Sequence, residues 1–410
     1  MAEDKLLIIQ KELAKPVEEM SIIDLVGALI EYAYTSRASD VHIQPFEDEI
    51  KVRLRIDGIL HDIFVLPKKI QSEIITRIKV LASLRTDEHQ AAQDGRFRIS
   101  LKKLEINFDV RVSIIPTYYG ENTILRILAE QAQISNLKGL GFRPKDLIKL
   151  EKAIKKPYGM ILATGPTGCG KTTTLYTILK SLNSRDVSII TIEDPIEYSL
   201  EGISQIQTNI KTGLTFADGL RSILRQDPNI LMVGEIRDQE TAGIAVNAAL
   251  TGHLLLSTLH TNDAATALPR LIDLGTQPFL ISSTVNIIIA QRLVRMICQD
   301  CRTEKNLTDT EAKSLSEMLP QATKGKLYKK FFVGKGCKKC LQSGYHGRVG
   351  IHEILEINDE IRSMIMGRAN ASEIKEAAIK MGMTTMIEDG FQKALKGTTT
   401  IEEILRVIHE

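Results

Sequence analysis

A two-domain α/β protein, its larger domain built on a parallel sheet and a smaller α+β domain ahead of it, is predicted by three observations. The chain has 410 residues, beyond the size at which one hydrophobic core usually stops growing. Between about residues 146 and 297, short continuous apolar runs alternate with helical patterns, as in a sheet covered on both faces. Before that stretch the apolar residues alternate strictly and are broken by a hairpin signal, Asp57-Gly58.

Composition narrows the class. Hydrophobic residues make up 43% and charged residues 25%, as in ordinary globular proteins. With 53 Lys plus Arg against 51 Asp plus Glu, net charge gives no ground for expecting nucleic-acid binding. No apolar run is long enough to span a bilayer, and the start MAEDKLLIIQKELAKP lacks a signal-peptide pattern, so a cytoplasmic protein is expected.

In chain order, residues 1–20 read as a polar, loosely held arm that Pro16 separates from the first domain. A helix begins behind a Ser21 cap, with Ile22, Ile23, Val26, Leu29 and Ile30 at helical spacing. The runs VHIQP, EIKVRLRI, ILHDIFVL, RFRISL, INFDVRVSII and NTILRIL then read as strands of an α+β domain over 21–131. Gly and Pro punctuate a linker at 132–145. The strands GMILAT, VSIITIED, ILMVGEI and LLLSTLH alternate with helices in a domain over 146–297, a cysteine-bearing subdomain spans 298–345, and 346–410 reads as a small helical subdomain.

The run GPTGCGKT matches a phosphate loop in the context it needs, after a strand and before a helix. Gly165, Pro166, Thr167, Gly168, Cys169 and Gly170 can turn backbone amides around phosphates, with Thr173 in the first helical turn behind them. Lys171 would neutralise the outer phosphates and Thr172 would offer its hydroxyl to Mg²⁺. The alternative is a Gly-rich turn without a ligand. Cys169 sits at a helix N-terminus, where a thiol pKa tends to fall; the plainer reading is a tolerated small side chain.

Glu235 follows an apolar strand, at the end where open α/β sheets place ligands, and could act on the attacking water directly or through Mg²⁺; a surface ion pair with Arg237 is the alternative. Glu193, Asp194 and Glu197 close another strand, suited to Mg²⁺ or water, and which carboxylate is the base stays open. His253 precedes the strand LLLSTL and His260 ends it; either could meet the γ-phosphate, and either could be structural. Arg53, Arg55, Arg96 and Arg111 line the first domain's strands, either as solvated charges or as arginines supplied to a phosphoryl-transfer site. Two C-x-x-C pairs, Cys298/Cys301 and Cys337/Cys340, can give four thiolates to one structural Zn²⁺, against reduced or redox-active thiols; the 35 residues between the pairs need a loop or subdomain to fill them.

Taken together, GPTGCGKT, TIEDPIEY, ILMVGEIRD, TGHLLLSTLHTNDA, the tetracysteine set and MTTMIEDGFQKALKGTTTIEEILRV resemble the type II secretion and type IV pilus assembly ATPase family over nearly the whole chain. SRASDVHIQP, RLRIDG, QDGRF and DVRVS resemble that family's preceding domain. The resemblance implies a RecA-like phosphate-loop motor domain behind a PAS-like α+β domain, and a hexameric ring that hydrolyses ATP to power assembly of pilus or pseudopilus subunits. It implies Arg96 and Arg111 as phosphate-sensing arginines, with Arg221, Arg225 and Arg237 as further motor-domain candidates. An inner-membrane platform protein would be the partner and would hold the chain at that membrane. The family's usual further amino-terminal docking domain has at most the short arm to represent it here, and Cys169 replaces the small hydroxyl residue usual in the loop. A retraction or DNA-uptake motor is the nearest alternative, and a nucleotide-binding regulator without turnover is another.

Overall fold

The computed structural model describes residues 2–101, 106–128 and 136–409, and its contacts divide the chain into two compact units, Met1–Gln133 and Ile134–Glu410.

In the first unit, helices α1 (Ala2–Leu13), α2 (Ile22–Thr35) and α3 (Gln71–Leu81) accompany six strands. These are β1 (Ala38–Pro45), β2 (Glu49–Ile56), β3 (Ile59–Pro67), β4 (Gln93–Leu101), β5 (Ile106–Thr117) and β6 (Gly120–Leu128), ordered β3-β2-β1-β6-β5-β4 with antiparallel pairing throughout. The Ser21 hydroxyl accepts from the Asp24 amide and caps α2. Asp57 and Gly58, at φ 48° and 91°, both take the left-handed backbone that a tight β2–β3 hairpin requires. The amino-terminal segment departs from the loose arm expected of it. Ile9 is fully buried and the Glu12 carboxylate accepts from the Ser21 amide; burying one such isoleucine is worth about 2 kcal/mol, enough to hold a short helix in place.

In the second unit, a seven-stranded sheet has the order β15-β12-β7-β11-β10-β8-β9. Its strands are β7 (Gly159–Thr164), β8 (Ile189–Glu193), β9 (Ser204–Gln207), β10 (Ile230–Val233), β11 (Leu254–Leu259), β12 (Val285–Ile297) and β15 (Tyr345–Glu356). All pairs are parallel except β12 with β15. Alternate residues of β7 fall into two separate apolar clusters, Met160 and Leu162 in one, Ile161 and Ala163 in the other. The sheet is therefore buried on both faces, and its strands read as continuous apolar runs for that reason. Helices α4 (Pro144–Ile154), α5 (Lys171–Leu182), α6 (Phe216–Ile223), α7 (Gln239–Leu250), α8 (Ala267–Asp273) and α9 (Pro278–Thr284) belong to this layer of connections.

Two expectations need correction. The linker expected at 132–145 begins outside the described residues, but Leu140 and Phe142 are buried in the second unit and the Phe142 ring packs on His352. The region expected to be helical after 345 instead starts with β15, whose twelve residues complete the seven-stranded sheet against β12. Between β12 and β15 the chain makes a small ribbon, β13 (Arg302–Asn306) against β14 (Lys330–Gly334), with α10 (Asp309–Met318) and α11 (Pro320–Thr323) between its strands. Four more helices follow among the described residues: α12 (Asp359–Met366), α13 (Ala371–Lys380), α14 (Met386–Leu395) and α15 (Ile401–His409).

Candidate nucleotide site and tetracysteine cluster

Because β7, β11, β10 and β8 run parallel, the residues that leave their carboxyl ends meet along one edge of the sheet. A cleft there is lined by Lys171, Thr172, Glu193, Asp194, Glu197, Glu235 and His260.

The loop from Gly165 to Thr172 reverses around three glycines with positive φ, Gly165 at 144°, Gly168 at 79° and Gly170 at 91°. Gly170 then starts α5, so the free amides of the first helical turn open into the cleft, a ready anion site. Lys171 Nζ donates to the Gly165 carbonyl at 2.7 Å and the Pro166 carbonyl at 3.1 Å. Burial pulls its pKa below the usual lysine value, partly offset by Cys169 and Glu235. Of the two readings of Cys169, burial opposes the one with a lowered thiol pKa. Its side chain is buried, and burial pushes the thiol pKa up despite the neighbouring Lys171.

The two acidic clusters differ sharply. Glu193, 2% exposed, accepts from the Tyr176 hydroxyl, from Thr191 Oγ1 at 2.5 Å and from Gln205 Nε2 at 3.1 Å. Burial and the adjacent Glu193 raise the Tyr176 pKa, while Tyr198, which packs edge-on against Tyr176, is pushed up to about 12 by burial, then by Glu193 and Glu197. Glu235 is held more openly. It pairs with Arg237, and His260 Nε2 lies 3.0 Å from its Oε2. Its loop is fixed by Gly234 N donating to Ile192 O at 2.8 Å, Ile236 N to Thr258 O at 3.0 Å, and Thr258 Oγ1 to Gly234 O at 2.8 Å. Glu235 thus pairs with Arg237 and also lines the cleft.

Other sequence candidates lie elsewhere. His253 immediately precedes β11, with Nδ1 3.0 Å from Ala248 O; seven residues of extended chain put it about 23 Å from His260. It is therefore corrected to a position on the opposite edge of the sheet. Arg221 and Arg225 do not line the cleft: Arg221 pairs with Glu240 and Asp218, and Arg225 donates to Arg221 O and Ser222 Oγ. Arg96 and Arg111 belong to the first unit, on paired strands. The register there sets Arg96 opposite Arg111, Arg111 opposite Arg126, Arg126 opposite Asp40 and Asp40 opposite Arg55. Facing like charges on neighbouring strands is unfavourable. Asp109 relieves it at one end, 2.5 Å from Arg96, and Asp40 at the other, 2.9 Å from Arg126 and 3.7 Å from Arg55. Arg53 pairs instead with Asp62.

Residues that sequence reasoning missed include Tyr176, Thr258, Arg126 and Gln291. Gln291 had a visible signal, an amide that shares the apolar run VNIIIAQRLV only with Asn286 and Arg292 among polar side chains, since a buried amide needs partners.

The four cysteines cluster at the root of the ribbon, Cys298 just after β12 and Cys337/Cys340 shortly before β15. Their Sγ atoms all lie within 4.8 Å of one another, with 3.8 Å for Cys298–Cys337, 3.9 Å for Cys301–Cys340 and 3.7 Å for Cys337–Cys340. A tetrahedron with metal–sulfur bonds of about 2.3 Å has edges near 3.8 Å, so the set fits Zn²⁺. The Cys337 and Gly344 amides donate to Cys340 Sγ at 3.2 and 3.3 Å, the outer hydrogen bonds that such thiolates use.

A phosphate loop at the first strand tip, a carboxylate–histidine pair on the two next tips and a saturated buried glutamate beside them define a phosphate-loop ATPase. The chain belongs to the Type II/IV secretion system protein family, which it matches over residues 15–406. It is similar to type II secretion system protein E of Xanthomonas campestris pv. campestris, 46% identical over 392 residues, covering 96% of this chain and 68% of that protein. It is 42% identical over 396 residues to the type IV pilus assembly ATPase PilB of Myxococcus xanthus, covering 96% of this chain and 69% of that one. Among solved structures, the pilus retraction motor PilT with bound ADP aligns with a TM-score of 0.61 at 26% identity, covering 92% of this chain and 95% of that one. The Legionella pneumophila ATPase DotB, at TM-score 0.70 and 22% identity over 97% and 98% of the two chains, shares the fold. Among the described residues no helix is long and apolar enough to cross a membrane.

Proposed function

We propose that this ATPase works as a ring of six copies that drives assembly of pilus or pseudopilus subunits through a platform protein in the inner membrane. The observation that carries the reading is the 42–46% identity, across 96% of the chain, to proteins named for type II secretion and pilus assembly, against 26% to the retraction motor.

In this reading the amides from Gly165 to Thr173 and the Lys171 ammonium hold the phosphates of ATP, and Thr172 offers its hydroxyl to Mg²⁺. The metal supplies charge neutralisation on the phosphates. Glu235 orients the attacking water and accepts its proton as the Pγ–O bond to the leaving ADP breaks; His260 holds the carboxylate and Arg237 balances its charge. Glu193, with three donors already on its carboxylate, serves as a fixed negative wall with Asp194 and Glu197. Arg96 and Arg111 stabilise charge on the transferring phosphoryl group, and their exposed, paired placement favours such use. Arg221 and Arg225, exposed on and beside α6, are available to a neighbouring copy. The tetracysteine set holds a structural Zn²⁺, with no open position for chemistry.

Deleting the gene tests the assignment. Loss of surface filaments or of secreted substrate supports assembly. Filaments that form but no longer shorten would instead establish the retraction reading, and phosphate release that rises with added duplex DNA would establish a nucleic-acid motor.

A further inference from the structure

Gln291 stands in the middle of β12, away from every motif that identifies the nucleotide site, yet its amide is committed to that site. It is 2% exposed. Its Nε2 donates to the Cys169 carbonyl at 2.8 Å, and its Oε1 accepts from Thr174 Oγ1, itself buried in the first turn of α5, at 2.8 Å. One side chain thus joins the last peptide of the phosphate loop to the helix after it. Its strand pairs with the strand that launches the loop, Ala290 beside Thr164. A Cβ built on Gly165 would lie 2.5 Å from the Gln291 carbonyl oxygen, so the loop is seated directly against this residue.

In a trans peptide the carbonyl and the following N–H point to opposite sides. Anchoring the Cys169 carbonyl on β12 therefore aims the Gly170 N–H away from β12. Gly170 is at φ 91°, and glycine carries little penalty for alternative backbone angles; without the anchor, this peptide is free to turn its carbonyl toward the phosphates, replacing a donor by an acceptor. We propose that Gln291 is a positioning residue for nucleotide binding, which locks the Cys169–Gly170 peptide with its N–H presented to a phosphate. This rests on the assignment of the loop to ATP.

The test measures Mg·ATP binding and steady-state turnover of the full chain, with thermal unfolding as a control, in Gln291→Met, Thr174→Val, the double variant and Lys171→Ala. Gln291→Met keeps the length and removes both hydrogen bonds; KM and the dissociation constant should rise about tenfold, the scale of one lost buried hydrogen bond, while kcat falls much less. Thr174→Val should raise KM by a smaller factor and add nothing in the Gln291→Met background, because both act through one amide. Should Gln291→Met fail to fold, Thr174→Val and its KM-to-kcat split carry the test. Unchanged affinity in Gln291→Met or Thr174→Val alongside lost binding in Lys171→Ala would overturn the inference and leave the ATP assignment standing. Unchanged affinity in all of them, Lys171→Ala included, would overturn the assignment itself.

Discussion

Glu235 and His260 leave adjacent parallel strands, β10 and β11, and meet with Nε2 and Oε2 3.0 Å apart at the edge of the cleft. Glu193, one strand further along, is closed off by Tyr176, Thr191 and Gln205. The two glutamates should therefore fail differently. Glu235→Gln is expected to lower kcat by about 10² or more, as for loss of a positioned base, with Mg·ATP binding retained. Glu193→Gln puts an amide donor among three donors, so its first effect is a fall in thermal stability of about 1–3 kcal/mol. Equal kinetic losses with unchanged melting in both variants would contradict this division.

Arg111 lies between Arg96 and Arg126 on facing strands, and Asp109 and Asp40 answer the flanking arginines. Removing Arg111 should relieve repulsion and leave folding intact, yet cost about 10³ in turnover if it meets the transferring phosphoryl group. Arg111→Lys should not restore the rate, since an ammonium lacks the planar fork. A fully active Arg111→Ala enzyme would remove the arginine from the mechanism.

Cys169 has a raised pKa through burial. A higher pKa means less thiolate at any given pH, so alkylation begins at higher pH than for a free thiol. Mass spectrometry after a maleimide pulse at about pH 8, near the pKa of a free thiol, should find Cys169 unmodified in the folded chain and modified after denaturation. Rapid labelling of the native protein would instead support the lowered thiol pKa expected at a helix N-terminus.

The tetracysteine set should bind one zinc per chain, released in parallel with ribbon unfolding. Cys337→Ser is expected to lose the metal by elemental analysis and to melt at lower temperature, while Mg·ATP affinity changes little because the loop is braced by β7 and β12. Full zinc content in that variant would place the metal elsewhere.

The parts of this molecule that were legible in the sequence are those whose signal is local. The phosphate loop, the Ser21 cap, the Asp57-Gly58 hairpin and the strand-tip acids each announce themselves within a short run of residues. The hidden parts depend on partners far along the chain. The strand β15 carries glycines and histidines that weaken its pattern, and it gains its place from a ladder to β12, on the far side of the whole ribbon in sequence. Helix α1 looked polar because its buried face is only a few residues wide, centred on Ile9. His253 and His260 bracket one strand symmetrically in sequence, and only the sheet's direction tells which end receives the loop. Gln291 is one polar letter until its two hydrogen bonds are seen.

Steady-state release of inorganic phosphate from Mg·ATP, by the wild-type chain and by Lys171→Ala prepared identically, tests the central claim most directly. Lys171 lines the same cleft as Glu235, its ammonium bonded to the Gly165 and Pro166 carbonyls, so the account predicts turnover in the wild type and a loss of at least about 10² in the variant. Equal rates in the two proteins would show that the phosphates are not held at this loop.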